Sequence, residues 1–226
     1  MDTAAVLGQL ESLGDPLVLA EAGRVGIVSK NILGVTMPDV RKLAKPIGKN
    51  HALAAELWQT GIFEARVVAT LIDDPKQVTA AQMDAWARDF DNWALVDQTC
   101  GNLFDRTPFA YAKAVEWSAR SEEFVKRAGF SLMAYLAVHD KKADNIQFVP
   151  FFAVLQREAV DERNYVKKAV NWALRGIGKR NMVLNQLAIQ TAQDIQRMER
   201  PSARWIAADA LRELRGEAVQ ARLLRK

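Results

Sequence analysis

Val125-Lys126-Arg127-Ala128 recurs as Val166-Lys167-Lys168-Ala169, 41 residues later. Residues Arg204–Leu214 carry a looser copy, about 38 residues further on. Around each copy the order of signals is the same: a short helical stretch, a turn, a second helical stretch, a short loop. The predicted helices are Ala4–Leu13, Leu17–Val28, His51–Thr60, Glu64–Ile72, Thr79–Phe90, Trp93–Cys100, Phe109–Ala119, Glu122–Val138, Ala143–Gln156, Asn164–Lys179, Val183–Gln196 and Ser202–Arg215. One more follows Thr36, which suits a helix cap, with Pro38 in the first turn and Pro46 and Gly48 beyond its end. No stretch alternates with the period of two that a strand requires.

A period near 40 with two helices per unit is the pattern of HEAT or armadillo-like solenoids, in which a unit buries its apolar face only by stacking on its neighbours. The expectation is therefore an all-α, HEAT-like helical-repeat solenoid. It is read as a single domain over residues 1–226, of about six helix pairs, irregular at the N-terminal end. An irregular helical bundle is the alternative. Stacking would line the second helices along one concave surface, so residues far apart in sequence would become neighbours.

Composition fits a helical chain. Half the residues are apolar, and Gly and Pro together number only 19 of 226. Charge is unevenly spread. Residues 161–226 carry 14 Lys/Arg against 7 Asp/Glu, whereas residues 1–160 carry 17 against 20. A basic C-terminal third points to a polyanionic partner, although a plain lysine-rich surface gives the same count. One cysteine, Cys100, excludes an internal disulfide framework, and with His51 and His139 it makes no zinc spacing. All three are read as structural, so no metal or cofactor is expected. No basic leader precedes an apolar core and no run of about 18 apolar residues occurs; the expectation is a cytoplasmic protein without a membrane span.

The stretch Asp161–Asn181 carries two stripes at helical spacing. Val166, Val170, Ala173, Leu174 and Ile177 form an apolar stripe for burial. Lys168, Trp172, Arg175 and Lys179 form a second stripe, three cations around an indole. Cations attract phosphate and an aromatic face packs on a sugar or base, so that stripe suits nucleic acid. A solvated basic face with a half-buried tryptophan is the plainer reading. Trp93 and Asp97 lie four residues apart, which places an indole beside a carboxylate on one helix face. Trp93 in the core, Asp97 as a cap or surface acid, and Arg127 paired with Glu123 are the corresponding structural readings.

The combination of WALVD, FVKRAGF, HDKKADN and DERNYVKKAVNWALRGIGKRN resembles the AlkD-type DNA alkylation repair enzymes, as do GVTMPDVRKLAK and LWQTGIFEARVVATLIDDP. The resemblance runs from about residue 30 to at least residue 215. It implies a HEAT-like superhelix that cradles double-stranded DNA, and a monofunctional glycosylase that excises positively charged N3- and N7-alkylated purines without a deep base pocket. Carried over by motif, Trp93 and Asp97 match the Trp-x-x-x-Asp pair, Arg127 the arginine at the start of an Arg-Ala helix, and Trp172 the tryptophan before Leu-Arg. Asp97 is then expected to stabilise an oxocarbenium-like sugar and align water, with Trp93 and Trp172 against the deoxyribose. Arg127 would clamp a phosphate, and Lys168, Arg175 and Lys179 would hold the backbone without reading sequence. One local departure is Gly129, which is expected to loosen the helix that carries Arg127. A monomer is expected for a groove that encloses DNA. A non-catalytic repeat protein that binds bent or branched DNA and a protein–protein scaffold are the rival readings.

Overall fold

The computed structural model describes residues 1–225. Among them every regular element is helical. The chain divides into two compact units, Met1–Thr107 and Pro108–Lys226.

The first unit holds α1 (Thr3–Ser12), α2 (Pro16–Arg24), α3 (Met37–Ala44), α4 (His51–Gln59), α5 (Phe63–Ile72), α6 (Ala80–Arg88) and α7 (Trp93–Asn102). Its centre is α5, which is apolar nearly all round and packs against α1, α3, α4 and α7. A helix surrounded in this way has to be hydrophobic on every face, and Ala65, Val67, Val68 and Ala69 are fully buried. Its C-terminal neighbour Asp73 pairs with His51 across 2.6 Å between Oδ1 and Nδ1. Trp58 stacks on Trp86 with centroids 3.9 Å apart, and its Nε1 donates to Asp89 Oδ2 at 2.8 Å. A buried indole needs such a partner for its one donor.

The second unit holds α8 (Ala110–Ser118), α9 (Glu123–His139), α10 (Asn145–Glu158), α11 (Asn164–Gly178), α12 (Met182–Gln196), α13 (Pro201–Leu214) and α14 (Glu217–Leu223). Here the repeat is plain. The second helices pack in a row, α9 on α11 and α11 on α13, while α8, α10 and α12 back them. All five residues of the predicted apolar stripe, Val166, Val170, Ala173, Leu174 and Ile177, are fully buried between these neighbours. Polar bonds repeat at a fixed offset: Arg127 to Tyr165, Asn171 to Asp209, and Arg175 to Glu213 are each 38 residues apart. Adjacent second helices are therefore tied to one another by polar bonds as well as by apolar packing.

Gly129 has a different role from the one its helix propensity suggests. A Cβ there would lie 2.6 Å from Ser118 N and 2.8 Å from Ala114 O, so the glycine lets α8 and α9 touch backbone to backbone. The helix it sits in runs unbroken from Glu123 to His139.

Candidate functional site

The first unit brings Trp93 and Asp97 together. Asn92 caps α7 through a 2.9 Å bond from Leu95 N to its Oδ1, which fixes Trp93 in the first turn and Asp97 one turn later. The indole Nε1 donates to Val25 O at 3.1 Å and so ties α7 to the segment that follows α2. Both side chains are half-buried and line a cavity of about 290 Å³, walled by Val18, Ala22, Ile27, Ile32, Met37 and Phe63.

A third lining residue, Glu64, shapes this cavity and was not singled out from the sequence. It is 1% exposed at the start of α5. Its Oε1 accepts from Gly34 N at 2.8 Å, Val35 N at 3.1 Å and Leu33 N at 3.2 Å, and its Oε2 accepts from Leu33 N at 3.0 Å. Three backbone N–H groups satisfy the buried charge, and the charge in turn folds the loop around it. Gly34 makes this loop feasible: its φ is +79°, and a Cβ would lie 2.5 Å from Asp15 O. The local signal was present, because Glu64 is an acid placed at the head of an apolar helix.

The second unit holds the remaining candidates. Arg127, 6% exposed, donates from Nη1 to Tyr165 O at 2.8 Å, so its guanidinium ties α9 to the first turn of α11. Lys168 is exposed. Trp172 is half-buried and meets Tyr135 edge to face, with centroids 5.0 Å apart. Arg175 and Lys179 both bind Glu213 of α13, and Arg175 Nη1 also lies 3.5 Å from Asp209 Oδ2. Burial pushes the Glu213 carboxyl up, but the bond from Lys179 and the charge of Arg175 outweigh it and hold the group below its ordinary value. Two of the three predicted backbone-gripping cations thus have acidic partners in the next repeat.

Beside Trp172 opens a hollow of about 700 Å³. Besides Lys179 it is lined by Lys141, Arg180 and Arg222, and no carboxylate borders it among the described residues. Arg180 donates to Ala137 O at 2.8 Å and to Ala143 O at 3.0 Å and lies over the Phe148 ring. Arg222 donates to Lys179 O at 3.1 Å. Lys141 belongs to the HDKKADN motif, but Arg222 lies in α14, beyond the last predicted helix.

Trp93 and Asp97 accordingly share one helix of the first unit, while Arg127, Lys168, Trp172 and Arg175 lie on α9 and α11 of the second and Lys179 caps the C-terminus of α11. Cys100 is buried. Among the described residues no cluster of His, Cys, Asp or Glu is placed to hold a metal ion, and no helix is long and apolar enough to cross a membrane.

Comparison with known proteins bears on the fold and the family. No curated protein matches the sequence. A solved structure described as "a new family of proteins related to the HEAT-like repeat DNA glycosylases with affinity for branched DNA structures" superposes with a TM-score of 0.81 at 22% identity, over 99% of this chain and 96% of its own. That likeness establishes the HEAT-like repeat fold. An engineered protein aligns over 95% of this chain and 99% of its own at 16% identity and a TM-score of 0.40, too loose to argue from. The sequence profile described as "DNA alkylation repair enzyme" matches residues 6–214, so the chain belongs to the DNA alkylation repair enzyme family.

Proposed function

We propose that the chain is a DNA glycosylase that removes positively charged N3- and N7-alkylated purines from duplex DNA. The observation that carries this reading is the pairing of Asp97 with Trp93, one helical turn apart and both half-buried at the wall of a largely apolar cavity. Alkylation leaves the purine cationic. When its bond to C1′ breaks, the bonding electrons neutralise the base and the positive charge passes to the sugar. A fixed carboxylate stabilises that developing cation, and in apolar surroundings it does so more strongly than in water. Water then adds to C1′, with Asp97 aligning it and accepting its proton. The face of Trp93 favours a neighbouring cation in the same way.

Arg127 acts as a positioning residue in this scheme. Its bond to Tyr165 O sets the start of the helix that presents Lys168 and Trp172. Replacing Asp97 by Asn is expected to lower release of 7-methylguanine and 3-methyladenine from alkylated duplex by about 10²–10³-fold while duplex affinity is kept. An unchanged rate removes Asp97 from the mechanism. Failure of the unmodified protein to release either base rejects the glycosylase reading.

A second reading is binding of branched DNA without base excision. It is favoured by the basic hollow beside Trp172, together with the similar fold of a protein described as having that affinity. Base release separates the two.

A further inference from the structure

We propose that the hollow beside Trp172 is a binding site for a single unpaired nucleotide, the kind of group that a flap or branch presents. The proposal rests on the reading that the chain binds DNA; it does not require base excision. Three observations converge. The first is charge: Lys141, Lys179, Arg180 and Arg222 border the hollow with no carboxylate among the described lining. The second is an aromatic wall, because Trp172 lines the same space and its edge-to-face packing on Tyr135 fixes the indole. The third is size. About 700 Å³ lies within the range of about 300–1,000 Å³ that holds one small molecule, and a duplex cannot enter it. Stacking platforms flanked by cations are how unpaired strands are held, since each base offers a π-face and each step a phosphate.

The four cations do not have equal work. Lys179 holds Glu213, and Arg180 is spread over the carbonyls at the end of α9 and Ala143. Lys141 and Arg222 are exposed at the hollow and are the groups assigned to the phosphate. Asn181, which caps the N-terminus of α12, also lines it, so the positive end of a 15-residue helix adds to the field. Ala137, Val138 and Gly176 add small and aliphatic groups to the lining.

The test compares the full chain with a Lys141→Ala/Arg222→Ala variant by fluorescence anisotropy. The ligands are a 5′-phosphorylated (dT)8 strand, a duplex with a 5′-flap, and a plain duplex of equal length. Both residues are exposed, and matching thermal unfolding curves verify that the variant is folded. The variant is expected to lose about tenfold or more in affinity for (dT)8 and for the flap, with less than about threefold loss on the plain duplex. A Lys141→Arg/Arg222→Lys variant should keep near-original affinities. Equal losses on all three ligands would mean general backbone contacts and overturn the site, as would no loss on any. If the unmodified protein binds none of the three, the DNA-binding reading falls with it; if it releases alkylated bases while the flap shows no advantage, only the hollow is rejected.

Discussion

Glu64→Gln tests how far one buried carboxylate sets the architecture beside Trp93. The change keeps the shape of the side chain and removes its charge. With the amide oxygen in the place of Oε1, the Gly34 and Val35 N–H groups keep an acceptor, but a neutral one. A hydrogen bond to a charged group contributes roughly 1.5–3 kcal/mol and a neutral one roughly 0.5–1.5, so these two contacts lose about 2 kcal/mol together. The new NH₂ then faces the Leu33 N–H from the position where Oε2 accepted it at 3.0 Å. The Leu33 N–H keeps its 3.2 Å contact with the oxygen at the Oε1 position, but the buried NH₂ meets a donor instead of an acceptor, which adds about 1–3 kcal/mol. The expected destabilisation is about 3–5 kcal/mol, or a drop in Tm on the order of 10 °C for a chain of this size. Calorimetry measures it, and amide exchange at Gly34 and Val35 should accelerate with it. A Tm within about 2 °C of the original, with unaltered exchange at these amides, would refute the assignment of Glu64 as the organiser of this loop.

Glu213→Gln releases Arg175 and Lys179 from their shared carboxylate, and if both then reach phosphates the slope of log K against log salt on duplex DNA should steepen by up to about 2. An unchanged slope would take both cations off the DNA-facing surface. Gly129→Ala forces apart backbone atoms that a Cβ would meet at 2.6 and 2.8 Å, and should destabilise the second unit by about 1–3 kcal/mol in denaturant unfolding, whereas Gly176→Ala, whose Cβ would meet nothing closer than 3.8 Å, should not. The Asp161 carboxyl is pushed up by burial, but bonds from the Arg163 side chain and backbone and from Lys126 outweigh this and hold it at about 2. Because the folded value lies below the ordinary 3.8, its contribution is complete above that pH and is lost as pH falls towards 2. Asp161→Asn should therefore flatten the stability profile between about pH 4 and pH 2, and an unaltered profile there would refute the bonding.

What was readable in the chain depended on how local its cause was. Asn92 and Thr36 mark helix starts through bonds to N–H groups three residues on, so the sequence places those starts correctly. The apolar stripe of α11 follows from helical spacing alone. The α14 helix was missed because only Leu223 of its seven residues is buried, too little apolar signal to register. The fate of the cations was hidden for another reason. Rules for pairing along a helix reach three or four residues, whereas Glu213, the shared partner of Arg175 and Lys179, lies 38 and 34 residues away from them, respectively. Arg127 was equally opaque, since a backbone carbonyl 38 residues distant leaves no trace in composition. Neither the cavity at Trp93 nor the hollow at Trp172 has a sequence signature, because each is walled by several separate segments.

The 38-residue offset shared by three of the ties between α9, α11 and α13 also bears on where the gene can gain or lose codons. One residue inserted within α11, between Asn171 and Arg175, would turn the last part of the helix by about 100° against its first part, so α13 could keep Asp209 on Asn171 or Glu213 on Arg175 but not both. The same residue added between Val160 and Arg163 would displace α11 as a block and leave its ties to α13 in step. Related chains should therefore differ in length at the loops between repeats and keep a fixed count of residues inside the second helices.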